Sequence, residues 1–152
     1  GGRVRNGENG ARGRPTGIHA AVTKDMLDTG KPPNGLSITG FPKGKGTVLN
    51  LGRGHLLADR LGGKRMKQNL VPLTQDPVNS PIMRDGIEQQ VYDAVDSGQT
   101  VQYNVVPQYD GDSLIPKSLL ISAYGSGPNG LKVDPFELPN PAGMFGVGDE
   151  DW

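Results

Sequence analysis

The chain has 152 residues, a formal net charge of zero, no cysteine and two histidines. This composition excludes disulfide staples, thiolate chemistry and metal sites built from several histidines. The length corresponds to a single domain with a modest core, and the 24 glycines and 13 prolines predict long loops with few regular elements.

The zero net charge conceals a strong asymmetry between the two halves of the chain. Residues 1–67 contain 13 of the 16 lysines and arginines but 4 of the 16 acidic residues, a balance of +9, and residues 68–152 carry the opposite balance of −9. Either the halves neutralise each other across the fold, or the basic half presents a surface to a polyanion beside a site that needs carboxylates. Charge alone favours the first interpretation.

The N-terminal third predicts short strands separated by loops. Residues 1–14, rich in Gly, Arg and Asn, are expected to form a flexible basic arm. Residues 18–22 predict a strand because their apolar side chains alternate onto one face. Further strands are expected at residues 36–38 and 47–51, with a turn-rich connection at residues 28–35 and a basic loop at residues 41–46.

The second half predicts one principal helix and a pair of strands. Ser80 is a good N-cap, Pro81 suits the first helical position and Gly98 suits the stop. Glu88 lies beside an apolar stripe that repeats every four residues, namely Met83, Ile87, Val91 and Val95. Strands are expected at residues 69–73, 99–109 and 118–124, the last two as antiparallel partners.

One histidine directs the functional interpretation. His55 lies in the segment Arg53-Gly54-His55-Leu56-Leu57-Ala58, and Asn69, Asn79 and Glu88 follow it. A neutral imidazole is a suitable general base near pH 7, a carboxamide oxygen can hold Mg²⁺ without adding negative charge, and arginine binds phosphate bidentately. This set of residue types indicates metal-assisted cleavage of phosphodiesters.

The ordered motif resembles the DNA/RNA non-specific endonucleases, which are sugar-non-specific nucleases of the His-Me finger (ββα-metal) class. The resemblance extends over roughly residues 12–124 and rests on residues 53–58, Leu61-Gly62-Gly63, Asn69-Leu70, Asn79 and Glu88. It implies an α+β fold with a small antiparallel sheet, a ββα-metal core and one principal helix.

The resemblance also implies roles for individual residues. His55 corresponds to the general base that deprotonates the attacking water, Asn79 to the direct Mg²⁺ ligand and Glu88 to the helix carboxylate that binds water on the metal. Asn69 corresponds to the asparagine that supports the site, and Arg53 is the motif arginine. His55, Asn69, Glu88 and Arg53 are therefore the predicted catalytic residues.

This chain departs from the family pattern at one position. The aspartate that precedes the motif arginine in the family is replaced by Gly52. Its absence leaves open which group orders this loop and sets the His55 tautomer. The predicted phosphate contacts are Arg14, Lys64, Arg65 and Lys67. Lys43 and Lys45 lie in a glycine loop that either contacts the nucleic-acid backbone or is simply solvated.

Each of these residues also has a structural interpretation. His55 alone can be a satisfied polar residue of a loop, Asn79 a helix cap and Glu88 a solvated helix charge. Arg14 can be an ordinary surface arginine. His19 lies in an apolar stretch and is expected to be structural.

We expect a division into a basic arm (1–14), a nuclease domain (15–124) and a Gly/Pro-rich acidic extension (125–152) that is extended, partly mobile, and packed on or trailing the domain. The function expected is a Mg²⁺-dependent endonuclease, with Mn²⁺ as the alternative ion, that cleaves DNA and also RNA with little sequence preference. The alternative is a non-catalytic polyanion-binding or structural module that retains the fold.

The cellular setting follows from weaker signals. No stretch is apolar enough to span a bilayer, so no membrane partner is expected, and no signal peptide is visible. The sequence begins Gly1-Gly2-Arg3 without an initiator methionine, which suggests an excised domain or a processed product. We expect the toxin domain of a bacterial secreted effector with a cognate immunity protein; a secreted nutrient-scavenging nuclease is the other setting.

Overall fold

The computed structural model describes residues 1–33, 36–41 and 50–144. Its strands are β1 (Arg3–Asn6), β2 (Ile18–Val22), β3 (Leu51–His55), β4 (Leu70–Thr74), β5 (Val101–Gln108), β6 (Ser118–Gly125) and β7 (Lys132–Pro139). Five of them form an antiparallel sheet in the order β1-β2-β5-β6-β7, and β3 pairs antiparallel with β4 in a separate two-stranded sheet.

The helical part of the chain joins β4 to β5. A wide π-type helix covers Gln75–Ile87 and continues as α1 (Glu88–Asp96), and a short α2 (Pro141–Met144) follows β7. Gly98 ends the helical part at a φ of 107°, a conformation that glycine adopts at little cost. None of the helices within the described ranges is long and apolar enough to cross a membrane.

The core lies between the larger sheet and the helical part. On β5, every second side chain is fully buried, because successive residues of a strand point to opposite faces. The helix presents its four-residue stripe to the same cluster, and the two-stranded sheet joins it through β4. The central members are Ile18, Ala20, Val22, Val71, Leu73, Met83, Val91, Val95, Val101, Tyr103 and Val105.

The predicted α+β class is confirmed, with antiparallel sheets and one principal helical element. The strands expected near residues 18–22, 69–73, 99–109 and 118–124 are present, and the last two pair antiparallel. The helix stop at Gly98 and the burial of the helix stripe are also as predicted, although Ile87 is only partly buried.

Two segments that were expected to be flexible or partly mobile pair with the larger sheet. Arg3–Asn6, predicted as part of a flexible arm, pairs with β2 as an edge strand. Lys132–Pro139, predicted as extended and partly mobile, pairs with β6 along its length. Both strands are mostly exposed, so their sequences lack an apolar alternation, and backbone pairing to a neighbouring strand decides their conformation.

Two further predictions are wrong in detail. The helix begins at Gln75 and not at Ser80, because the chain turns into it directly from β4 and the Gln75 amide donates to the Asn50 carbonyl at 2.7 Å. Residues 36–38 form no strand; the Leu36 carbonyl accepts a hydrogen bond from a side chain instead. Residues 42–49, which include the basic loop and most of the strand predicted at 47–51, lie outside the described residues.

A buried asparagine ties the two sheets together. Asn140 has no exposed surface; its Oδ1 accepts from the Thr74 amide at 2.7 Å, and its Nδ2 donates to the carbonyls of Pro116 at 2.8 Å and Pro72 at 3.2 Å. One carboxamide thereby satisfies backbone groups of β4 and of the segment that leads into β6. We infer that it holds the two-stranded sheet in place beside the larger one.

Substitution of Asn140 should therefore destabilise the fold. Asn140→Ala leaves a buried amide and two carbonyls without partners, and we expect the free energy of unfolding to fall by about 2–4 kcal/mol, measured by urea denaturation. Asn129→Ala, at an exposed position, is the matched control and should change it by less than about 0.5 kcal/mol. Equal effects of the two substitutions would contradict this role.

Candidate active site

Strand β3 brings the histidine segment to the edge of a cleft. Arg53 and His55 lie two residues apart on the strand, so their side chains share a face, and both line the cleft. Gly54 lies between them against β4, where a Cβ atom would come within 2.2 Å of the Leu73 side chain. Glycine at this position allows β3 and Leu73 to pack closely.

The cleft is open and has a volume of about 220 Å³. One wall is formed by β3 and the turn that follows it, and the other by the π-type helix and the start of α1. Its lining is mostly polar: Pro33, Arg53, His55, Ala58, Asp59, Arg60, Gln75, Asn79, Arg84 and Glu88. Four predicted site residues, His55, Asn79, Glu88 and Arg53, thus lie around one space.

The hydrogen bond of His55 defines its neutral tautomer. Its Nε2 lies 3.0 Å from the Lys31 carbonyl oxygen, and a carbonyl can only accept, so Nε2 carries the proton and Nδ1 is left as the basic nitrogen. Burial lowers the pKa of His55 below its ordinary value of 6.5. A half-buried, neutral imidazole with a defined basic nitrogen therefore lines the cleft at pH 7.

Asn79 is oriented by a neighbour one helical turn earlier. Its Nδ2 donates to Gln75 Oε1 at 2.9 Å, so Oδ1 is the end of the amide that remains for another ligand. The Gln75 amide also occupies the space beside Gly52: a Cβ atom there would lie 1.8 Å from Gln75 Oε1 and 2.9 Å from Asn79 Nδ2. The Gln75 side chain thus occupies space that a side chain at position 52 would need.

Glu88 is buried, in contrast to the interpretation of a solvated helix charge. It is 7 % exposed, and burial raises its pKa from 4.5 to about 7, against the opposing effect of the nearby Arg60 guanidinium. Arg60 Nη2 lies 3.9 Å from Glu88 Oε1. The carboxyl group can therefore exchange a proton near neutral pH, and a cation in the cleft would favour its ionised form.

Arg53 is held against the wall of the cleft. Its Nε donates to the Leu36 carbonyl at 2.7 Å, and its guanidinium stacks over the Phe41 ring at 4.2 Å from the centroid. These contacts fix the loop that contains residues 36–41 against β3. Arg53 combines an anchoring role with a position at the cleft.

Asn69, predicted among the catalytic residues, does not line this cleft. It is 1 % exposed; its Oδ1 accepts from the Leu57 amide at 2.8 Å, and its Nδ2 donates to the carbonyls of Leu57 at 2.9 Å and Lys64 at 3.0 Å. All of these bonds hold the turn after His55. Its buried amide supports the site from behind and makes no contact with the cleft.

The four predicted phosphate contacts also lie away from the cleft lining. Arg14 Nη1 donates to the carbonyls of Gly111 at 2.8 Å and Ser113 at 3.0 Å, and the guanidinium stacks on Tyr109, so these contacts hold a loop. Its Nε is buried without a hydrogen-bond partner among the described residues, at a distance from the cleft lining. The other three are exposed at the surface, and none of them borders the cleft: Lys64, Arg65 and Lys67. His19, expected to be structural, pairs with Asn104 at 2.8 Å on the larger sheet.

Three groups at the site were not predicted. The Lys31 carbonyl gives no side-chain signal, since any residue supplies a backbone oxygen. Gln75 falls before the expected helix start, and Arg60 reads as an ordinary basic residue. Arg60 stands in the sequence soon after His55, and this proximity was the one available signal for it.

The oxygen donors of the cleft fit a hard cation that keeps much of its hydration shell. Among the described residues, no group of three or more His, Asp or Glu side chains forms a metal cage. Four lining side chains carry oxygen donors: Asp59, Gln75, Asn79 and Glu88. Asp59 Oδ1 accepts from the Arg60 amide and Gln75 Oε1 accepts from Asn79, which leaves Asn79 Oδ1 and the Glu88 carboxyl group as the better candidates. Such a set suits Mg²⁺ or Mn²⁺, which can be bound by one or two protein oxygens together with water and substrate phosphate.

Comparisons with known proteins agree with this geometry. A family model described as DNA/RNA non-specific endonuclease matches residues 6–125. A deoxyribonuclease from Streptococcus dysgalactiae subsp. equisimilis is 32 % identical over 101 residues, which is 63 % of this chain. The match covers 30 % of the length of that relative, so this chain corresponds to part of it.

Solved structures share the fold. NucA from Streptococcus agalactiae, solved with no metal bound, superposes with a TM-score of 0.72 at 21 % identity, over 92 % of this chain and 71 % of NucA. The Sda1 nuclease, solved with a bound zinc ion, gives 0.72 at 21 % identity over 91 % and 73 % of the two chains. A structure described as an extracellular endonuclease gives 0.62 at 16 % identity, over 92 % of this chain and 79 % of that one.

The burial of Glu88 predicts a pH dependence of stability without metal. Because the pKa of Glu88 is about 7 in the folded protein and ordinary when unfolded, the unfolded chain binds fewer protons between these values. The contribution of Glu88 to the free energy of unfolding should thus fall as pH rises from about 4.5 to about 8, by about 3 kcal/mol in total.

The difference between wild type and Glu88→Gln isolates this contribution. In chelator, urea denaturation should show wild type losing stability relative to Glu88→Gln between pH 5 and pH 8, since glutamine does not titrate. Glu137→Gln, at an exposed position, is the control and should follow wild type at each pH. A wild-type-to-Glu88→Gln difference that is constant over this range would contradict the raised pKa.

Proposed function

The chain belongs to the DNA/RNA non-specific endonuclease family, and from this premise we propose that it hydrolyses the phosphodiester bonds of DNA and RNA in a Mg²⁺-dependent reaction. The observation that carries the proposal is the meeting of His55, Asn79 and Glu88 around one open cleft. Hydrolysis of a phosphodiester needs a base to activate water and a cation to stabilise the phosphate charge. His55 supplies the base, and the Asn79 carboxamide and the Glu88 carboxyl group supply oxygens that can hold the cation.

His55 is the proposed general base. Its Nδ1 accepts a proton from the water that attacks phosphorus, and the lowered pKa keeps this nitrogen available at neutral pH. The Nε2–H donates to the Lys31 carbonyl throughout, which holds the ring in one orientation and stabilises the imidazolium once the proton has moved. The attacking oxygen forms its bond to phosphorus as the bond from phosphorus to the ester oxygen breaks. The leaving oxygen takes a proton from water, and the His55 imidazolium returns its proton to solvent.

Asn79 and Glu88 are the residues that would hold the cation. Because Asn79 Nδ2 donates to Gln75, the Asn79 Oδ1 atom is the one left to bind the cation, and Glu88 lines the same cleft. A bound Mg²⁺ ion supplies positive charge that stabilises the phosphate and the leaving oxygen. Mn²⁺ is the alternative ion, because it accepts the same oxygen ligands.

Little sequence preference is expected from the chemistry of the cleft. Its arginines and carboxamides suit phosphate oxygens, which every nucleotide carries, and an open cleft does not enclose a particular base. Binding should accordingly weaken as salt rises, because phosphate contacts release counterions.

Replacement of His55 tests the base assignment. His55→Ala should lower the rate of plasmid cleavage by at least about a hundredfold, as expected for loss of a general base, with the fold retained by circular dichroism. His19→Ala removes the other histidine, which lies on the larger sheet away from the cleft lining, and should cleave like wild type. Comparable cleavage by His55→Ala and wild type would refute the assignment.

Removal of metal tests the cofactor. EDTA should stop cleavage, and excess Mg²⁺ or Mn²⁺ should restore it. Asn79→Ala should raise the Mg²⁺ concentration that gives half-maximal activity about tenfold or more, whereas Asn129→Ala should leave it unchanged. Cleavage that persists in chelator would exclude the metal role, and a wild-type protein that binds nucleic acid but never cleaves it would favour a non-catalytic binding module.

We further propose that the nuclease acts outside the cell that makes it. The extracellular endonuclease with the same fold supports this setting. Two forms are consistent with it: a secreted scavenging nuclease, and the toxin domain of a larger effector that is accompanied by an immunity protein. Co-expression with the product of the neighbouring gene separates them, because an immunity protein should co-purify and abolish plasmid cleavage, whereas the scavenging nuclease should remain active.

A further inference from the structure

Arg60 differs from the other arginines of the cleft in how its guanidinium is partnered. Arg53 is committed to the Leu36 carbonyl and the Phe41 ring, and Arg84 pairs with Asp85 at 3.2 Å with a side chain that is 62 % exposed. Arg60 lies on the turn after His55, and its side chain is 23 % exposed. Arg60 is therefore more deeply buried than Arg84, and it lies beside the proposed catalytic groups.

One edge of the Arg60 guanidinium has no hydrogen-bond partner. Nη1 donates to Gln89 Oε1 at 2.7 Å, which anchors the group, whereas Nε and Nη2 are buried and make no hydrogen bond within the described part of the chain. The Nε–H bond is parallel to the Nη2–H bond that lies on the same side of the planar group. Together they form the two-pronged edge that binds two oxygens of one phosphate or carboxylate.

The neighbouring acids do not satisfy this edge. Glu88 Oε1 lies 3.9 Å from Nη2, which is beyond hydrogen-bond distance. Asp59 accepts a bond from the main-chain amide of Arg60 at 2.9 Å, not from its guanidinium. Gln89 is neutral, so it positions the cation without cancelling its charge. Buried donors without partners are rare in proteins because they cost free energy, so a donor edge of this kind on a residue that lines a cleft is suited to a water molecule or to the oxygens of a ligand.

We propose that Arg60 binds a phosphate group of the nucleic-acid backbone through Nε and Nη2, and so positions the substrate between His55 and Glu88. The inference rests on the proposed function and adds a substrate-positioning residue to it. Two parallel hydrogen bonds fix the orientation of the phosphate as well as its distance, which a lysine ammonium cannot do. Arg60 thereby supplies the phosphate contact that was expected from Arg14 and from the basic residues after Gly63.

The test distinguishes the effect of two parallel hydrogen bonds from the effect of the positive charge of Arg60. Binding of a fluorescent DNA duplex is measured in EDTA over a range of salt, and cleavage of the same duplex is measured in Mg²⁺, for wild type, Arg60→Lys and Arg60→Ala. Arg60→Ala should bind roughly tenfold more weakly and lower the slope of log K against log salt by about 1. Arg60→Lys keeps the charge and should lose less affinity but cleave roughly tenfold more slowly, because the phosphate is no longer oriented.

A matched control removes a cation elsewhere. Lys24 pairs with Asp96 at 3.8 Å, is 68 % exposed and does not border the cleft, so Lys24→Ala should bind and cleave like wild type. Thermal unfolding of each variant verifies the fold. Should Arg60→Ala fail to fold, Arg60→Lys and Arg60→Gln carry the same comparison.

The outcomes distinguish this inference from the proposed function. If wild type cleaves and Arg60→Lys matches it in both assays, Arg60 acts only as a positive charge beside Glu88 and the two-pronged contact is overturned. An unchanged salt slope in Arg60→Ala overturns the phosphate contact as well. If wild type neither binds nor cleaves nucleic acid, the proposed function fails and this inference falls with it.

Discussion

The buried carboxamide of Asn69 is the interaction on which the cleft depends. It spans the segment between β3 and β4, where it satisfies the amide and carbonyl of Leu57 and the carbonyl of Lys64. The Leu57 amide and carbonyl would otherwise be buried without partners, so movement of the turn would cost free energy. That turn follows His55 and contains Arg60, so a residue outside the cleft lining orders the backbone from which Arg60 reaches the cleft.

Three polar side chains of the cleft share one design. His55 is anchored through Nε2, Asn79 through Nδ2 and Arg60 through Nη1, and each anchor is a neutral oxygen. A neutral acceptor orients a side chain without neutralising the charge or the lone pair at its other end. The free nitrogen of His55 can take a proton, and the free oxygen of Asn79 can bind a hard cation. The free edge of the Arg60 guanidinium can bind a phosphate. Preorganisation of this kind avoids the cost of reorienting the groups during the reaction.

The replacement at Gly52 is understandable in these terms. A side chain at this position would displace the Gln75 amide, which is the end of a flexible side chain and accepts the hydrogen bond of Asn79. The His55 tautomer, for its part, is set by the Lys31 carbonyl. A loop carbonyl therefore sets the His55 tautomer, and a helix side chain fills the space beside Gly52. Neither partner is recognisable from the linear spacing, because Lys31 contributes only its backbone and Gln75 precedes the expected helix.

Local pattern was sufficient where burial determines conformation. The alternation of β2 and β5, the apolar stripe of the helix and its glycine stop are properties of the sequence alone, as is the ordered motif that indicates the family. Tertiary structure decided the rest: the edge strands β1 and β7, the helix start at Gln75, and which polar residues reach the cleft. The physical reason is that these features depend on partners distant in sequence. An exposed strand is held by its neighbour's backbone, and a basic side chain such as Arg14 binds whichever carbonyls the fold places beside it.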